Sequence, residues 1–173
     1  MFKGDVYVGL DAPSFDEHDL KFAQKTVRIL SGLYGIIKPL DLIQAYRLEM
    51  GTPFSNGHGK NLYEFWGNKI TKQLNKELTE SKSTHLLNLA SVEYFKSIQR
   101  ENLAKPVLDI DFKEMRDGKL KVISFTAKKA RGDMARQIVR QRIKKADDLK
   151  SLNVLGYTYK ERGSSELKYL FTK

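Results

Sequence analysis

Residues 119–145 read KLKVISFTAKKARGDMARQIVRQRIKK and hold ten basic side chains against one acid, Asp133. The opening KLKVISFT alternates polar and apolar side chains as a strand does. From Arg131 onward, Ala135, Ile138 and Val139 recur at helical spacing. The stretch therefore predicts a strand running into a basic helix over 131–145. It also carries nearly all of the chain's charge imbalance. The formal net charge is +10, of which this stretch supplies +9, leaving 21 basic and 20 acidic residues elsewhere. A local excess of this kind is one that a polyanion can use.

Working outward, PVLDIDFKE also alternates and joins KLKVISFT through Asp117-Gly118, which reads as a β-hairpin. The tail NVLGYTYKERGSSELKYLFTK reads as a second hairpin, turning at residues 162–165. Upstream, THLLNLAS is a short buried strand leading into a helix, VEYFKSIQ. NLYEFWGNKITKQLNKEL is the clearest helix: Leu62, Phe65, Trp66, Ile70 and Leu74 form its buried stripe, and Lys69, Lys72, Lys76 and Glu77 face out. In FDEHDLKFAQKTVRIL, the spacing of Leu20, Ala23, Val27 and Leu30 makes one helical face that closes at Ser31-Gly32, with Gly32 as the cap. Helical periodicity resumes after Gly35 in IIKPLDLIQAYRLEM, and PFSNGHGK is a loop. The expectation is an α+β fold of mixed helices, short strands and hairpins around one core. A single domain over residues 1–173 is expected, without repeats or linkers.

Composition sets the outer bounds. An apolar content of 40% with 30% charged residues is that of a soluble globular chain, and no apolar run reaches the roughly 18 residues that span a bilayer. The first residues, MFKGDVYVGLDAP, lack an apolar signal core, so a cytoplasmic protein with no membrane partner is expected. The absence of cysteine excludes disulfides and thiol-based peroxide chemistry. GHGK at residues 57–60 fails as a phosphate loop, because Phe54 stands where a glycine is required and Asn61 where Ser or Thr is. His18, His58 and His85 have no metal-ligand spacing, and neither a metal nor a cofactor is expected. Asp109 and Asp111 share one strand face and read as the wet side of a hairpin.

The chemistry-bearing candidates are few. On a helix, Arg136, Arg140 and Lys144 form one ridge, about 6 Å apart. Lys128, Lys129 and Arg131 precede it at the expected strand-to-helix junction, where free backbone N–H groups would add to a phosphate site. SGLYGIIK, with Gly32, Gly35 and Lys38, loosely fits the turn of a helix-hairpin-helix DNA-binding element. Arg47, Glu49, Asn88, Glu93 and Tyr94 are polar residues set among apolar ones, and so candidates for a pocket.

Read together and in order, FKGDVYVGL, LSGLYGIIKPLDLIQAYRLEMG, NLYEFWGNKIT, NLASVEYFKSI and ISFTAKKARGDMARQI resemble the YaaA family, the bacterial peroxide stress proteins. The resemblance spans essentially the whole chain. It implies a cytoplasmic protein that responds to peroxide, limits free iron and iron-dependent damage, and binds DNA. The implied apparatus is a helix-hairpin-helix over 31–38 and a positive cleft drawing on Lys128, Lys129, Arg131 and Arg136. It further implies that the chain corresponds to the C-terminal two-thirds of a family member, an N-terminally truncated domain. Two other readings compete with DNA binding. One is an enzyme on a nucleotide or nucleic acid, with Lys128, Lys129 and Arg131 holding phosphate and Arg47, Glu49, Glu93 or Tyr94 doing chemistry. The other is an RNA-contacting scaffold.

Overall fold

Alternation along VLDIDFKEMR becomes one long strand in the computed structural model, which describes residues 2–173. In chain order the elements are α1 (Asp5–Leu10), α2 (Glu17–Thr26), β1 (Ile29–Ser31), β2 (Gly35–Ile37), α3 (Leu62–Trp66), α4 (Lys69–Glu80), β3 (Leu86–Asn88) and α5 (Val92–Phe95). They continue with β4 (Val107–Arg116), β5 (Lys119–Lys121), α6 (Ser124–Gln141), β6 (Asn153–Val154), β7 (Tyr157–Ser165) and β8 (Lys168–Thr172). The α+β class is as expected. The chain packs as two compact units. One comprises the residues up to 23, 87–89 and 108–173; the other comprises 24–86 and 90–107.

The first unit is built on a sheet of order β3-β4-β8-β7-β6, with β5 paired to the far end of β4. β4 and β8 run parallel, Ile110 opposite Tyr169 and Phe112 opposite Phe171, while β7 pairs antiparallel with β8. Leu108, Ile110 and Phe112 of β4 share a buried cluster with Ala127, Ala130 and Met134 of α6, and Tyr157, Tyr169 and Phe171 are among its other members. Asp117 and Gly118 both take positive φ (52° and 72°), the geometry of the two-residue turn that matches strand twist, so the expected hairpin forms there. Its second strand is shorter than the alternation suggested, because Ser124 already opens α6. The basic helix thus begins seven residues before Arg131. The last hairpin turns at residues 166–167 and not at 162–165, since the β7 strand runs on to Ser165.

One contact fixes α6 from outside. α1 lies across it so closely that a Cβ on Gly132 would overlap the Val6 carbonyl oxygen and stand 2.7 Å from the Leu10 nitrogen. A Cβ on Gly9 would likewise overlap the Lys129 carbonyl oxygen. The two glycines let the backbones meet.

In the second unit Met50, Leu62, Ile70, Leu74 and Ile98 form the buried cluster. Asn61 caps α3 by accepting from the Glu64 amide at 3.0 Å. The expected single helix over 61–78 is broken at Gly67, whose φ of 49° starts a new helix at Lys69. Phe65 and Trp66 are only partly buried, and Glu77 turns inward to pair with Arg28. The helix expected to reach Leu30 stops at Thr26, and Ile29–Ile37 is a β-ribbon with Ile29 opposite Ile37 and Ser31 opposite Gly35. Residues 38–61 form turns and irregular chain, not a helix. SGLYGIIK is therefore not the turn of a helix-hairpin-helix. Its glycines serve packing instead: Gly35 (φ 74°) lies under the Trp66 ring, and the Gly32 carbonyl accepts from Trp66 Nε1 at 3.0 Å.

Gly132→Ala is expected to cost about 3 kcal/mol in urea unfolding, because no flexible atom can yield to the added methyl. Gly57→Ala, where a Cβ would meet nothing within 4 Å, is expected to change stability by less than about 0.5 kcal/mol.

Candidate functional site

Three backbone turns of α6 carry the side chains that matter. Asp133 is buried, and its carboxylate accepts from Arg136 Nε at 3.1 Å, from the same guanidinium's Nη2, and from Gln137 Nε2 at 2.7 Å. Gln137 also donates to the Asn153 carbonyl at 2.8 Å, tying the helix to β6. Arg136 Nη1 lies 3.7 Å from Asp11. Arg140 donates to the Ser14 carbonyl at 2.8 Å and stands 4.0 Å from Asp19, which also takes Arg142 at 3.4 Å. The ten-to-one charge ratio of the linear stretch is thus softened by carboxylates of the first twenty residues. Asp133, Arg136, Gln137, Arg140, Gln141, Asn153 and Leu155 line an open cleft of about 460 Å³. α6 ends at Gln141, where Arg142 (φ 52°) turns the chain, so Lys144, exposed like Lys145, lies past the helix and not on one ridge with Arg136 and Arg140.

Lys128, Lys129 and Arg131 stand elsewhere than expected. All three lie inside α6, where their amides bond within the helix; the strand-to-helix junction with free N–H groups is at Ile123–Ser124 instead. Lys128 is exposed, and Lys129 places Nζ 4.2 Å from the centroid of Phe125. Burial pulls the Arg131 guanidinium below its usual range, and the Asp111 charge works against that pull. Asp111 itself pairs with Lys168 at 2.9 Å and Lys113 at 3.5 Å, and Asp109 accepts from Asn88 at 2.9 Å. The expected wet face of β4 is an ion-paired one.

Glu114 escaped the sequence reading. It is 4% exposed and accepts from Thr126 Oγ1 at 2.6 Å, Tyr157 OH at 2.7 Å and Arg116 at 2.9 Å. The hydroxyl of Thr126 foremost, then that of Tyr157, overcome the cost of burial and hold its carboxyl at about 2, against an ordinary 4.5. The signal was present in the strand: Glu114 falls in step with Leu108, Ile110 and Phe112, on the face that turns to the core.

In the second unit, Tyr94 is pushed above the usual phenol range by burial, then by the charges of Glu93 and, among others, Glu49. Glu93 accepts from the Gly51 amide at 2.8 Å, and its carbonyl accepts from Tyr63 OH at 3.1 Å. Three of the five pocket candidates, Glu49, Glu93 and Tyr94, therefore come together, joined by Tyr63 and Tyr46, which sequence patterning did not mark. Arg47 is exposed, and Asn88 belongs to the first unit. Gly32 and Gly35 are buried, so their amides are closed to a phosphate, correcting their place among the binding candidates. Lys38 lies 4.0 Å from Glu77 beside Arg28, in a cavity of about 260 Å³ lined by both signs of charge. Among the described residues, no helix is long and apolar enough to cross a membrane.

A family model described as peroxide stress protein YaaA matches residues 1–163. Among curated relatives, a UPF0246 protein of Cellvibrio japonicus is 52% identical over 172 residues, covering 99% of this chain and 67% of its own length. UPF0246 proteins of Colwellia psychrerythraea and Aliivibrio fischeri are each 51% identical over 172 residues, 67% and 66% of their lengths. The chain spans about two-thirds of the length of these relatives.

Because Glu114 has a depressed pKa, the stability it contributes is present in full above about pH 4.5 and is lost as the pH falls toward about 2. Glu114→Gln is expected to lower stability at pH 7 by about 2 kcal/mol, since Thr126 and Tyr157 then donate to a neutral acceptor. Urea midpoints measured from pH 7 down to about 2.5 should fall less steeply with acid in the variant than in the parent.

Proposed function

The chain belongs to the YaaA family of peroxide stress proteins, and on that premise we propose that it acts by holding DNA on the outer side of α6. The reading rests on one observation above others: the cleft is lined by Arg136 and Arg140, in a stretch that also carries the exposed lysines Lys128, Lys144 and Lys145. Arg136 has two of its donors held by buried Asp133, so the guanidinium is fixed in orientation before any ligand arrives. Lys144 and Lys145 are exposed in the segment that follows the helix, Lys128 is exposed in its first half, and the proposed DNA path uses these side chains with the two arginines. Such a surface suits the repeating charge of a phosphodiester backbone better than one compact ligand. Contacts of this kind position a duplex without reading its sequence.

The chemistry of protection is then indirect. With no thiol in the chain, peroxide is not consumed by cysteine chemistry. DNA held against the protein is shielded from radicals made by iron and peroxide, and in cells this is the proposed route to less iron-dependent damage. RNA would meet the same cations, so the test includes it.

Binding of a labelled short DNA duplex, and of an RNA duplex of the same sequence, would be titrated between about 50 and 200 mM salt. The variant is Lys144→Ala/Lys145→Ala, because both side chains are exposed and their loss leaves the packing intact. Affinity for DNA is expected to fall steeply with salt, and the slope of log affinity against log salt to become shallower by about 1 to 2 in the variant. Absent DNA binding, an unchanged slope, or a preference for the RNA duplex would overturn the proposal.

A further inference from the structure

Peroxide attacks sulfur, and the sulfur of this chain is carried by four methionines. Among the described residues Met50 and Met134 are 0% exposed, whereas Met115 is 57% exposed. We propose that Met115 is a peroxide-responsive modification site, and that its oxidation to the sulfoxide releases β5 from β4. The proposal stands apart from DNA binding.

Accessibility comes first. A thioether is oxidised when a sulfur lone pair attacks one peroxide oxygen: the S–O bond forms, the O–O bond breaks, and the departing hydroxide takes a proton and leaves as water. Sulfur loses two electrons and peroxide gains them. The sulfur must therefore be reachable by peroxide, which holds for Met115 and not for the two methionines sealed in the cores.

The second half follows from register. β5 is three residues long and pairs with β4 as Glu114 opposite Lys121, Met115 opposite Leu120 and Arg116 opposite Lys119. The Met115 amide donates to the Lys173 carbonyl at 3.1 Å, on the other side of β4. Met115 and Leu120 are therefore the non-hydrogen-bonded pair of the ladder, where facing side chains approach most closely. Leu120 is itself 40% exposed, so this pair is the apolar contact available to hold so short a strand. A sulfoxide turns one partner polar and draws it into water. The change is placed to be felt further along: Glu114, adjacent in β4, holds Thr126 in the first turn of α6, and residues 122–123 link β5 to that turn.

The test uses the full chain treated with hydrogen peroxide, mapped by peptide mass spectrometry and followed by amide hydrogen exchange. In the folded protein Met115 is expected to gain one oxygen at least about tenfold faster than Met50 or Met134, and the three to converge in urea. Exchange at residues 119–121 is expected to rise about tenfold on oxidation and to return when a methionine sulfoxide reductase removes the oxygen. Met115→Leu keeps the apolar pair without the sulfur, so peroxide should leave its exchange unchanged. Equal oxidation of all three methionines in the folded chain, unchanged exchange in oxidised protein, or the same rise in Met115→Leu would each overturn the proposal.

Discussion

The contact on which the first unit turns is the one with no side chain in it. α1 meets α6 backbone to backbone at Gly9 and Gly132, and a methyl at either place would occupy the position of a carbonyl oxygen. A six-residue helix has little stability of its own, since its first turn costs more order than its few hydrogen bonds return. The close approach supplies what the short helix lacks. It also delivers Asp11, Ser14 and Asp19 to the edge of α6, where they meet Arg136, Arg140 and Arg142. The charge pattern of the cleft is thus a consequence of two missing Cβ atoms.

Two buried carboxylates then set the helix in register. Glu114 holds its first turn through Thr126, and Asp133 holds its middle through Gln137, which also reaches the Asn153 carbonyl. Each acid has several donors, which is the condition for a buried charge to be tolerable. Neither contact is large in apolar area, yet together they leave α6 one rotation about its axis. That rotation aims Ala127, Ala130 and Met134 at the sheet and leaves Arg136 and Arg140 at the cleft.

Periodicity disclosed the elements that obey it. The alternation of VLDIDFKE and the Asp117-Gly118 pair made β4 and its turn legible, and the apolar spacing of α4 did the same for the second unit. What periodicity could not disclose was pairing over distance. Val27 and Leu30 sit at helical spacing behind Ala23, but Ile29–Ser31 gains more by pairing with Gly35–Ile37 under Trp66 than by extending α2. In the same way KLKVISFT alternates on either side of Val122-Ile123, while only three of its residues pair with β4 before the helix begins. The basic cluster was legible as charge; its partial neutralisation by Asp11 and Asp19, over a hundred positions earlier, was not.

The parallel pairing of β4 with β8 has a consequence for how this unit comes to exist. Asp109 and Lys168 are neighbours in space but lie roughly sixty residues apart along the chain. β8 also sits between β4 and β7, so Phe112 and Tyr157, whose rings meet edge to face, are brought together only once the strand carrying Phe171 is in place. During synthesis, α6 can form early and dock on β4, which precedes it, but the sheet stays open beside β4 until residues 168–172 have left the ribosome. Closure is therefore a late event with a large loop to gather, and the interval before it is when this protein most needs protection from association with its neighbours.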